Sequence, residues 1–361
     1  MAKCARRNRL VVGDVLEKVR ALEDNTHDAC FPDAPYGQGM DEWDEAVPGD
    51  EVWKEIARVC KPGAPLLCFG APKTHHRLMV AIEDAGWELK DCLIWLYTQG
   101  FPKSRHIGKA IRKKAMTSKR PVMKKHSKGD REGKLSDGVA VAELMTLADR
   151  WDGWGTALKP AWQPIVLAMK PLEGTYVENV AKWDCGGLWI DGARVPYVDE
   201  YDRKHQADIC KGSGTFFGGN GVARAHTLTP GGRFPANVIL DDVTAAALDA
   251  QYGATKIASI SRCFFCQPVG KNGKSLDLPT GVDNNHKTLK PVELCKQLAK
   301  LLLPPERDTP RRILVPYAGT GSEMIGAMLA GWDFVHGIEV NKDYVEVASH
   351  RLRYWRGKQS D

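Results

Sequence analysis

The sequence lacks any apolar run near the roughly 20 residues that a bilayer-spanning helix needs, and its first residues lack the apolar core of a secretion signal. We therefore expect a cytoplasmic protein with no membrane partner. Its ten cysteines show no framework spacing, so reduced thiols are expected instead of disulfides. Cys263-x-x-Cys266 has no second pair to complete a zinc site, and no metal is predicted.

Acidic residues are scarce in one segment of a chain whose net charge is only +6. Residues 103–134 hold thirteen Lys or Arg against two acids, and aromatic residues such as Phe101 and Trp154 flank them. A solvated loop would explain the charge, but basic residues beside stacking platforms favour a surface that binds a polyanion. The candidate contacts are Lys103, Arg105, Lys109, Arg112, Lys113, Lys114, Lys124 and Lys125.

Short apolar runs alternate with helix-like segments over residues 10–97 and again over residues 291–352. The runs are too continuous for strands buried on one face, so they predict a parallel sheet covered by helices on both sides, an α/β fold. If residues 164–169 pair with residues 91–97, the basic segment is a long excursion from a hairpin. The Gly-rich stretch 171–269 shows no dominant period and is either a recognition module or a set of loops.

Asp33-Ala34-Pro35-Tyr36 follows the apolar run 29–32, at the place where a buried strand would end in a loop. An acid, a stiff turn and an aromatic ring suit the binding of a planar, amine-bearing ring by its edge and face. Turns with this composition are also common for structural reasons alone. The tetrapeptide is therefore a candidate site that needs support from the rest of the chain.

That support comes from a βαβ pattern near the C-terminus. A strand at 313–317 runs into Ala318-Gly319-Thr320-Gly321-Ser322, a helix follows, and the next strand ends at Glu339. Small residues in the first loop let the backbone approach a ligand, and an acid about twenty residues later can accept from a ribose diol. The pattern predicts a nucleoside-cofactor site.

Together, these segments resemble the DNA amino-methyltransferases, a family that is widespread in phages and prophages. Residues 33–36 resemble the family's Asp-Pro-Pro-Tyr motif, residues 316–321 resemble its S-adenosylmethionine loop, and residues 285–291 are similar to its His-Pro-Thr-x-Lys-Pro segment. Further similarity lies in residues 100–104, 155–160, 232–237 and 261–266.

The resemblance implies a Rossmann-like methyltransferase fold with a mostly parallel, seven-stranded sheet and an inserted DNA-recognition region. The catalytic motif precedes the cofactor loop by about 280 residues, which resembles the circularly permuted β arrangement of the family. The implied domains are residues 1–170 (N-terminal catalytic part, with a basic DNA-facing insertion at about 100–160), 171–269 (target recognition) and 270–361 (cofactor binding).

The resemblance also implies roles for residues. The family's catalytic motif falls on Asp33, Ala34, Pro35 and Tyr36, and its cofactor is S-adenosylmethionine. The implied partners are double-stranded DNA and, as further candidates, a second copy of the chain and a cognate restriction endonuclease. The implied cofactor-binding residues are Asp14, Asp33, His286, Lys287, Thr288, Pro316, Tyr317, Ala318, Gly319, Thr320, Gly321 and Glu339.

Three positions depart from the family pattern. Ala34 replaces the first proline but keeps the backbone carbonyl that accepts from the target amine, and Lys287 replaces a proline with little consequence. Val315 stands where the family has an acid near the cofactor's ammonium, a role that Glu323 or Asp33 could take. Asp33 favours adenine N6 as the target, whereas N4-cytosine enzymes more often begin with serine. A nucleic-acid-binding protein that has lost turnover stays the alternative.

Overall fold

The computed structural model describes residues 7–39, 41–98, 100, 104–117, 141–197, 199–200, 203, 231–251, 260–267, 277–279, 284 and 289–358. The strands are β1 (Arg7–Val12), β2 (Ala29–Cys30), β3 (Pro65–Phe69), β4 (Glu88–Leu96), β5 (Trp162–Met169), β6 (Val238–Asp241), β7 (Phe265–Gln267), β8 (Arg312–Pro316) and β9 (Phe334–Glu339). The α-helices are α1 (Val15–Arg20), α2 (Asp50–Val59), α3 (His75–Asp84), α4 (Ile107–Thr117), α5 (Val141–Arg150), α6 (Tyr176–Trp183), α7 (Asp242–Gln251), α8 (Val292–Leu301), α9 (Ser322–Ala330) and α10 (Lys342–Gly357).

The strands form one sheet in the order β1-β9-β8-β2-β3-β5-β4-β6-β7. All neighbours are parallel except where β5 pairs with β3 and β4. The predicted α/β fold with a mostly parallel sheet is confirmed. The sheet has nine strands instead of the predicted seven, because β6 and β7 extend its edge beyond β4. The order of the loops relative to other methyltransferases, and hence the circular permutation, stays a prediction.

The chain divides into two compact units, one formed by residues 1–98 and 162–361 and the other by residues 99–161. In the larger unit, β4 and β5 pair in antiparallel fashion from Glu88 opposite Met169 to Leu96 opposite Trp162. The smaller unit is therefore inserted between the two strands of a hairpin, the arrangement expected if residues 164–169 pair with residues 91–97. The assignment of residues 171–269 to target recognition stays a prediction.

Helices cover both faces of the sheet. On one face, α2 buries Trp53, Ile56 and Val59, whose spacing of three residues places them on one side of the helix. On the other face, α8 packs against α9 so closely that a Cβ atom at Gly326 would lie 2.5 Å from the Cβ atom of Cys295. This contact requires glycine at position 326 and holds α9 close against α8. No helix among the described residues is long and apolar enough to cross a bilayer.

The parallel strands bring the predicted site residues to one edge of the sheet. Asp14 follows β1, the 33–36 segment follows β2, the 317–321 loop follows β8, and Glu339 ends β9. The carboxyl ends of neighbouring parallel strands lie side by side, so segments far apart in sequence share one edge there.

Two histidines are buried against each other in the core. His27 Nε2 lies 3.3 Å from His336 Nδ1, and the rings stack with centroids 5.5 Å apart. Burial lowers the pKa of His27 from 6.5 to about 3, helped by His336 and Arg312. Burial also lowers the pKa of His336 to about 4, helped by Arg9 and Arg312. Both rings are therefore neutral in the folded protein at pH 7.

We expect acid to destabilise the fold through this pair. Below pH 6.5 the two histidines bind protons in the unfolded chain but not in the folded chain. Their contribution to the free energy of unfolding is therefore complete above pH 6.5 and is lost as pH falls toward 4. Each histidine should lower the free energy of unfolding by about 2 kcal/mol at pH 5 relative to pH 7. Urea unfolding at the two pH values measures the loss, and His336→Gln should remove about half of it. The same change at exposed His76 should leave the loss intact.

Candidate active site

The 33–39 loop is held from inside by a buried carboxylate. Asp44, fully buried, accepts hydrogen bonds at Oδ1 from the backbone N–H groups of Tyr36 (2.6 Å) and Gly37 (2.9 Å), and at Oδ2 from Gln38 (3.3 Å). Thr74 Oγ1 donates to the Tyr36 carbonyl at 2.6 Å. Gly37 has a φ of +64°, which favours glycine. The loop conformation is therefore fixed by residues that the sequence analysis did not identify.

A hydrogen-bond network joins Asp33 to Tyr36. The Tyr36 hydroxyl donates to Asp33 Oδ1 at 2.5 Å and accepts from Gln163 Nε2 at 2.6 Å. Lys290 Nζ donates to Asp33 Oδ2 at 2.6 Å and to the Tyr36 hydroxyl at 2.7 Å. Burial, followed by the Asp33 charge, raises the pKa of Tyr36, so the phenol keeps the proton that it donates. The ring and the carboxylate are thus oriented as a single group.

Lys290 is the least expected member of the network. Its side chain is 4% exposed, and its ammonium lies 4.9 Å from the centroid of the Phe69 ring and 5.3 Å from that of Tyr36. Aromatic faces stabilise a desolvated cation, and Asp33 supplies the opposite charge. In the sequence Lys290 was identified only as part of the segment 285–291, and Gln163 carried no signal.

The loop after β8 turns sharply before α9 begins at Ser322. Tyr317 has a φ of +57°, Gly319 of +49° and Gly321 of +84°. A left-handed backbone is uncommon for a tyrosine, and strained residues of this kind cluster at functional sites. A Cβ atom at Gly321 would lie 3.1 Å from the Cβ atom of Ala348, so small size is required there as well. The turn places residues 317–320 in the wall of a cavity at this edge of the sheet.

Glu339 ties this loop to the end of β9. Its Oε2 accepts from the Gly319 N–H at 2.8 Å and its Oε1 accepts from the Asn341 N–H at 2.9 Å. Burial raises the pKa of Glu339, while these backbone donors oppose the shift. Each carboxylate oxygen has a second lone pair, so Glu339 can hold the loop and still accept from a ribose hydroxyl.

The two loops enclose a cavity of about 260 Å³. Carboxylates beside aromatic and apolar walls fit a cationic nucleoside such as S-adenosylmethionine. Among the described residues, no cluster of three His, Cys, Asp or Glu side chains is arranged to hold a metal. The predicted site residues that line the cavity are Asp14, Asp33, Ala34, Pro35, Tyr36, Tyr317, Ala318, Gly319, Thr320 and Glu339.

Five other predicted cofactor residues are not among those that line the cavity in the described part of the chain. Pro316, at the end of β8, and Gly321, before α9, are not part of the cavity wall. His286, Lys287 and Thr288 lie outside the described residues.

Val315 and Glu323 have different environments in the structure. Val315 is fully buried in the apolar core and is not part of the cavity wall. Glu323, in the first turn of α9, lines the cavity and is 4% exposed. Burial, followed by the charge of the nearby Asp33, raises the pKa of Glu323 to about 7, and Lys290 opposes the shift. A carboxyl group thus faces the cavity from the helix that follows the loop.

The smaller unit presents basic side chains on α4 and just before it. Arg105, Lys109, Lys113 and Lys114 are exposed, and Lys109 and Lys113 share a helix face because they are four residues apart. Arg112 instead pairs with Asp149 at 2.8 Å and Asp152 at 3.1 Å, which links α4 to the end of α5. Lys103, Lys124 and Lys125 lie outside the described residues.

Comparison with known proteins finds similar chains among the methyltransferases. The chain is 22% identical over 244 residues to the type II methyltransferase M.HindIII of Haemophilus influenzae, a match that spans 55% of this chain and 70% of that one. The cytosine-N4-specific PvuII DNA methyltransferase has a similar fold, with a TM-score of 0.50 and 10% identity, over 96% of this chain and 87% of that one. A complex of M1.HpyAVI with SAM aligns over 96% of this chain and 100% of that one, at 12% identity and a TM-score of 0.43.

The family assignment rests on the length of the match. The model of the N6/N4 DNA methylases matches residues 27–350, which include both loops of the cavity and the inserted unit. A match of this extent covers most of the chain. The chain therefore belongs to the DNA methylase family of N6 and N4 amino-methyltransferases.

Proposed function

We propose that the protein transfers a methyl group from S-adenosylmethionine to the exocyclic N6 of an adenine flipped out of double-stranded DNA. The observation that carries this proposal is the cavity in which Asp33 and Tyr36 face the loop after β8 and Glu339. An acid instead of serine at position 33 supports adenine as the target.

S-adenosylmethionine, the methyl donor of this family, supplies an electrophilic methyl group on a sulfonium when bound. Glu339 accepts from the ribose hydroxyls while it holds Gly319 in place. Asp14, whose Oδ1 caps α1 by accepting from the Glu17 N–H at 3.0 Å, lies at the cavity wall to meet the adenine of the donor. The backbone of the 317–320 loop forms the floor.

The target amine is a weak nucleophile because its lone pair is delocalised into the base. Hydrogen bonds from the amine to Asp33 and to the Ala34 carbonyl localise that lone pair on nitrogen and aim it at the methyl carbon. The nitrogen–carbon bond forms as the carbon–sulfur bond breaks, and the Asp33 carboxylate is placed to take the proton that nitrogen loses. Catalysis then rests on orientation and electrostatics, without a covalent enzyme intermediate.

The base must leave the helix before Asp33 can reach its amine. Tyr36 is the platform on which the flipped ring stacks, and the hydrogen bonds of its hydroxyl keep that platform in one orientation. Arg105, Lys109, Lys113 and Lys114 contact phosphates of the duplex, and Lys103, Lys124 and Lys125 stay candidates for the same role. We leave Arg112 out because two carboxylates already occupy its guanidinium.

A labelling experiment tests the proposal. The protein is incubated with S-adenosylmethionine labelled in the methyl group and with genomic DNA from a methylation-deficient host, and the DNA is digested to nucleosides. We expect the label in N6-methyladenine. Label in N4-methylcytosine would overturn the choice of base, and DNA binding without any label would overturn the activity. Sequencing the modified DNA would then identify the recognition sequence.

A further inference from the structure

Glu323 is a buried acid that faces the cavity without a cation of its own. Among the described residues, no lysine or arginine nitrogen lies within 4.0 Å of its carboxylate, and the Cys295 thiol contacts Oε1 at 3.8 Å. A buried carboxylate is costly unless it is paired. Its environment therefore suits a positively charged ligand.

Asp33, the other acid on this side of the cavity, is already engaged. Its Oδ1 accepts from the Tyr36 hydroxyl and its Oδ2 from Lys290. A cation that enters the cavity thus finds one carboxylate paired with Lys290 and another, Glu323, that forms no ion pair with a described Lys or Arg. The two acids therefore differ in their partners, since Asp33 has a paired cation and Glu323 has none in the described part of the chain.

We propose that Glu323 binds the ammonium group at the amino-acid end of S-adenosylmethionine. The proposal rests on the use of this cavity for the methyl donor. An ammonium has three N–H groups to donate to a carboxylate, whereas a sulfonium has none, and the methyl group on that sulfonium must face the amine held by Asp33. The ammonium is therefore the cationic group that matches Glu323. With Glu323 in this role, no acid is needed at position 315, and Val315 packs in the core.

The titration of Glu323 gives the proposal a second signature. The charged and titratable groups around it are Asp33, Lys290, Cys295 and Arg351. With a pKa of about 7, the group is mostly protonated at pH 6 in the free protein, and a bound ammonium favours the carboxylate. Binding should then release a proton below pH 7, in a range where the ligand's own amine, with a pKa near 8, stays charged.

Isothermal titration calorimetry with three ligands tests the assignment. S-adenosylmethionine carries both cations, S-adenosylhomocysteine keeps the ammonium but has a neutral sulfur, and 5′-methylthioadenosine lacks the amino-acid end. We expect Glu323→Gln to weaken the first two ligands about 10- to 100-fold and to leave the third within about twofold. Exposed Glu293 on α8 provides the matched control, and Glu293→Gln should change none of the three affinities.

The pH dependence is measured on the same proteins. The unaltered chain should lose about fivefold in affinity for S-adenosylhomocysteine as pH falls from 7 to 6, and Glu323→Gln should lose much less. Equal weakening of all three ligands, or weakening of S-adenosylmethionine alone, would overturn the proposal. If the unaltered chain binds no S-adenosylmethionine, the methyl-donor role of the cavity fails and this assignment fails with it.

Discussion

Replacing Asp33 by alanine is expected to lower the rate of methyl transfer by at least about 10²- to 10³-fold, the cost of removing one oriented polar group from a reacting centre. The substitution removes the proposed acceptor for the target amine and the observed partner of Tyr36 and Lys290. DNA binding should persist, because the phosphate contacts that we propose lie elsewhere in the chain. Single-turnover kinetics with labelled S-adenosylmethionine, together with a DNA-binding assay, measures both effects.

Two further variants sharpen this result. Asp33→Asn keeps an acceptor oxygen but loses the negative charge, so its rate should fall between those of Asp33→Ala and the unaltered protein. Asp84→Ala, the same change at an exposed site on α3, should have no effect. Unchanged turnover in Asp33→Ala would remove Asp33 from the role that we assign to it.

Replacing Lys290 by methionine is expected to destabilise the fold by about 3–5 kcal/mol, because removal of one partner leaves the other charge buried and unpaired. The carboxylate of Asp33 is only 13% exposed, so water screens it little. We also expect methyl transfer to slow about 10- to 100-fold, since Asp33 and Tyr36 lose the group that orients both. Lys290 is a positioning residue, and the loss should fall on kcat more than on the affinity for DNA.

A double-mutant cycle separates the ion pair from general packing. If the two charges interact, Asp33→Ala combined with Lys290→Met should be more stable than Lys290→Met alone, because no unpaired charge remains. Lys290→Arg should restore part of the stability. Lys296→Met, on an exposed part of α8, should change neither stability nor rate. Additive losses in the cycle would contradict the coupling.

The elements of the central sheet were predictable because their signals are local. The Lys61-Pro62-Gly63 stop predicts that a helix ends just before it, and α2 ends at Val59. The compact apolar run at 66–69 predicts a strand, and these residues lie within β3. By contrast, α7 has little amphipathic character and buries only Ala245. Its apolar residues therefore show no helical period from which the helix could be predicted. Helix α6 could have been predicted, because Thr175 and Glu178 form a capping box.

The candidate site was only partly predictable. The motif and the glycine loop are contiguous in sequence, and a parallel sheet necessarily brings strand ends together. Gln163 and Lys290 reach Tyr36 from 127 and 254 residues away along the chain, and no local pattern predicts such a contact. Asp44 lies only eight residues from Tyr36, yet its burial depends on how the loop folds back.

The hairpin of β4 and β5 has a consequence for how such enzymes diversify. Leu96 lies opposite Trp162, so the chain leaves and re-enters the sheet at neighbouring points. An insertion between these points can lengthen, shorten or be exchanged at little entropic cost, because loop closure depends only weakly on length. We therefore expect that the inserted unit, which we propose binds DNA, can be replaced during evolution while the sheet and its cavity stay unchanged.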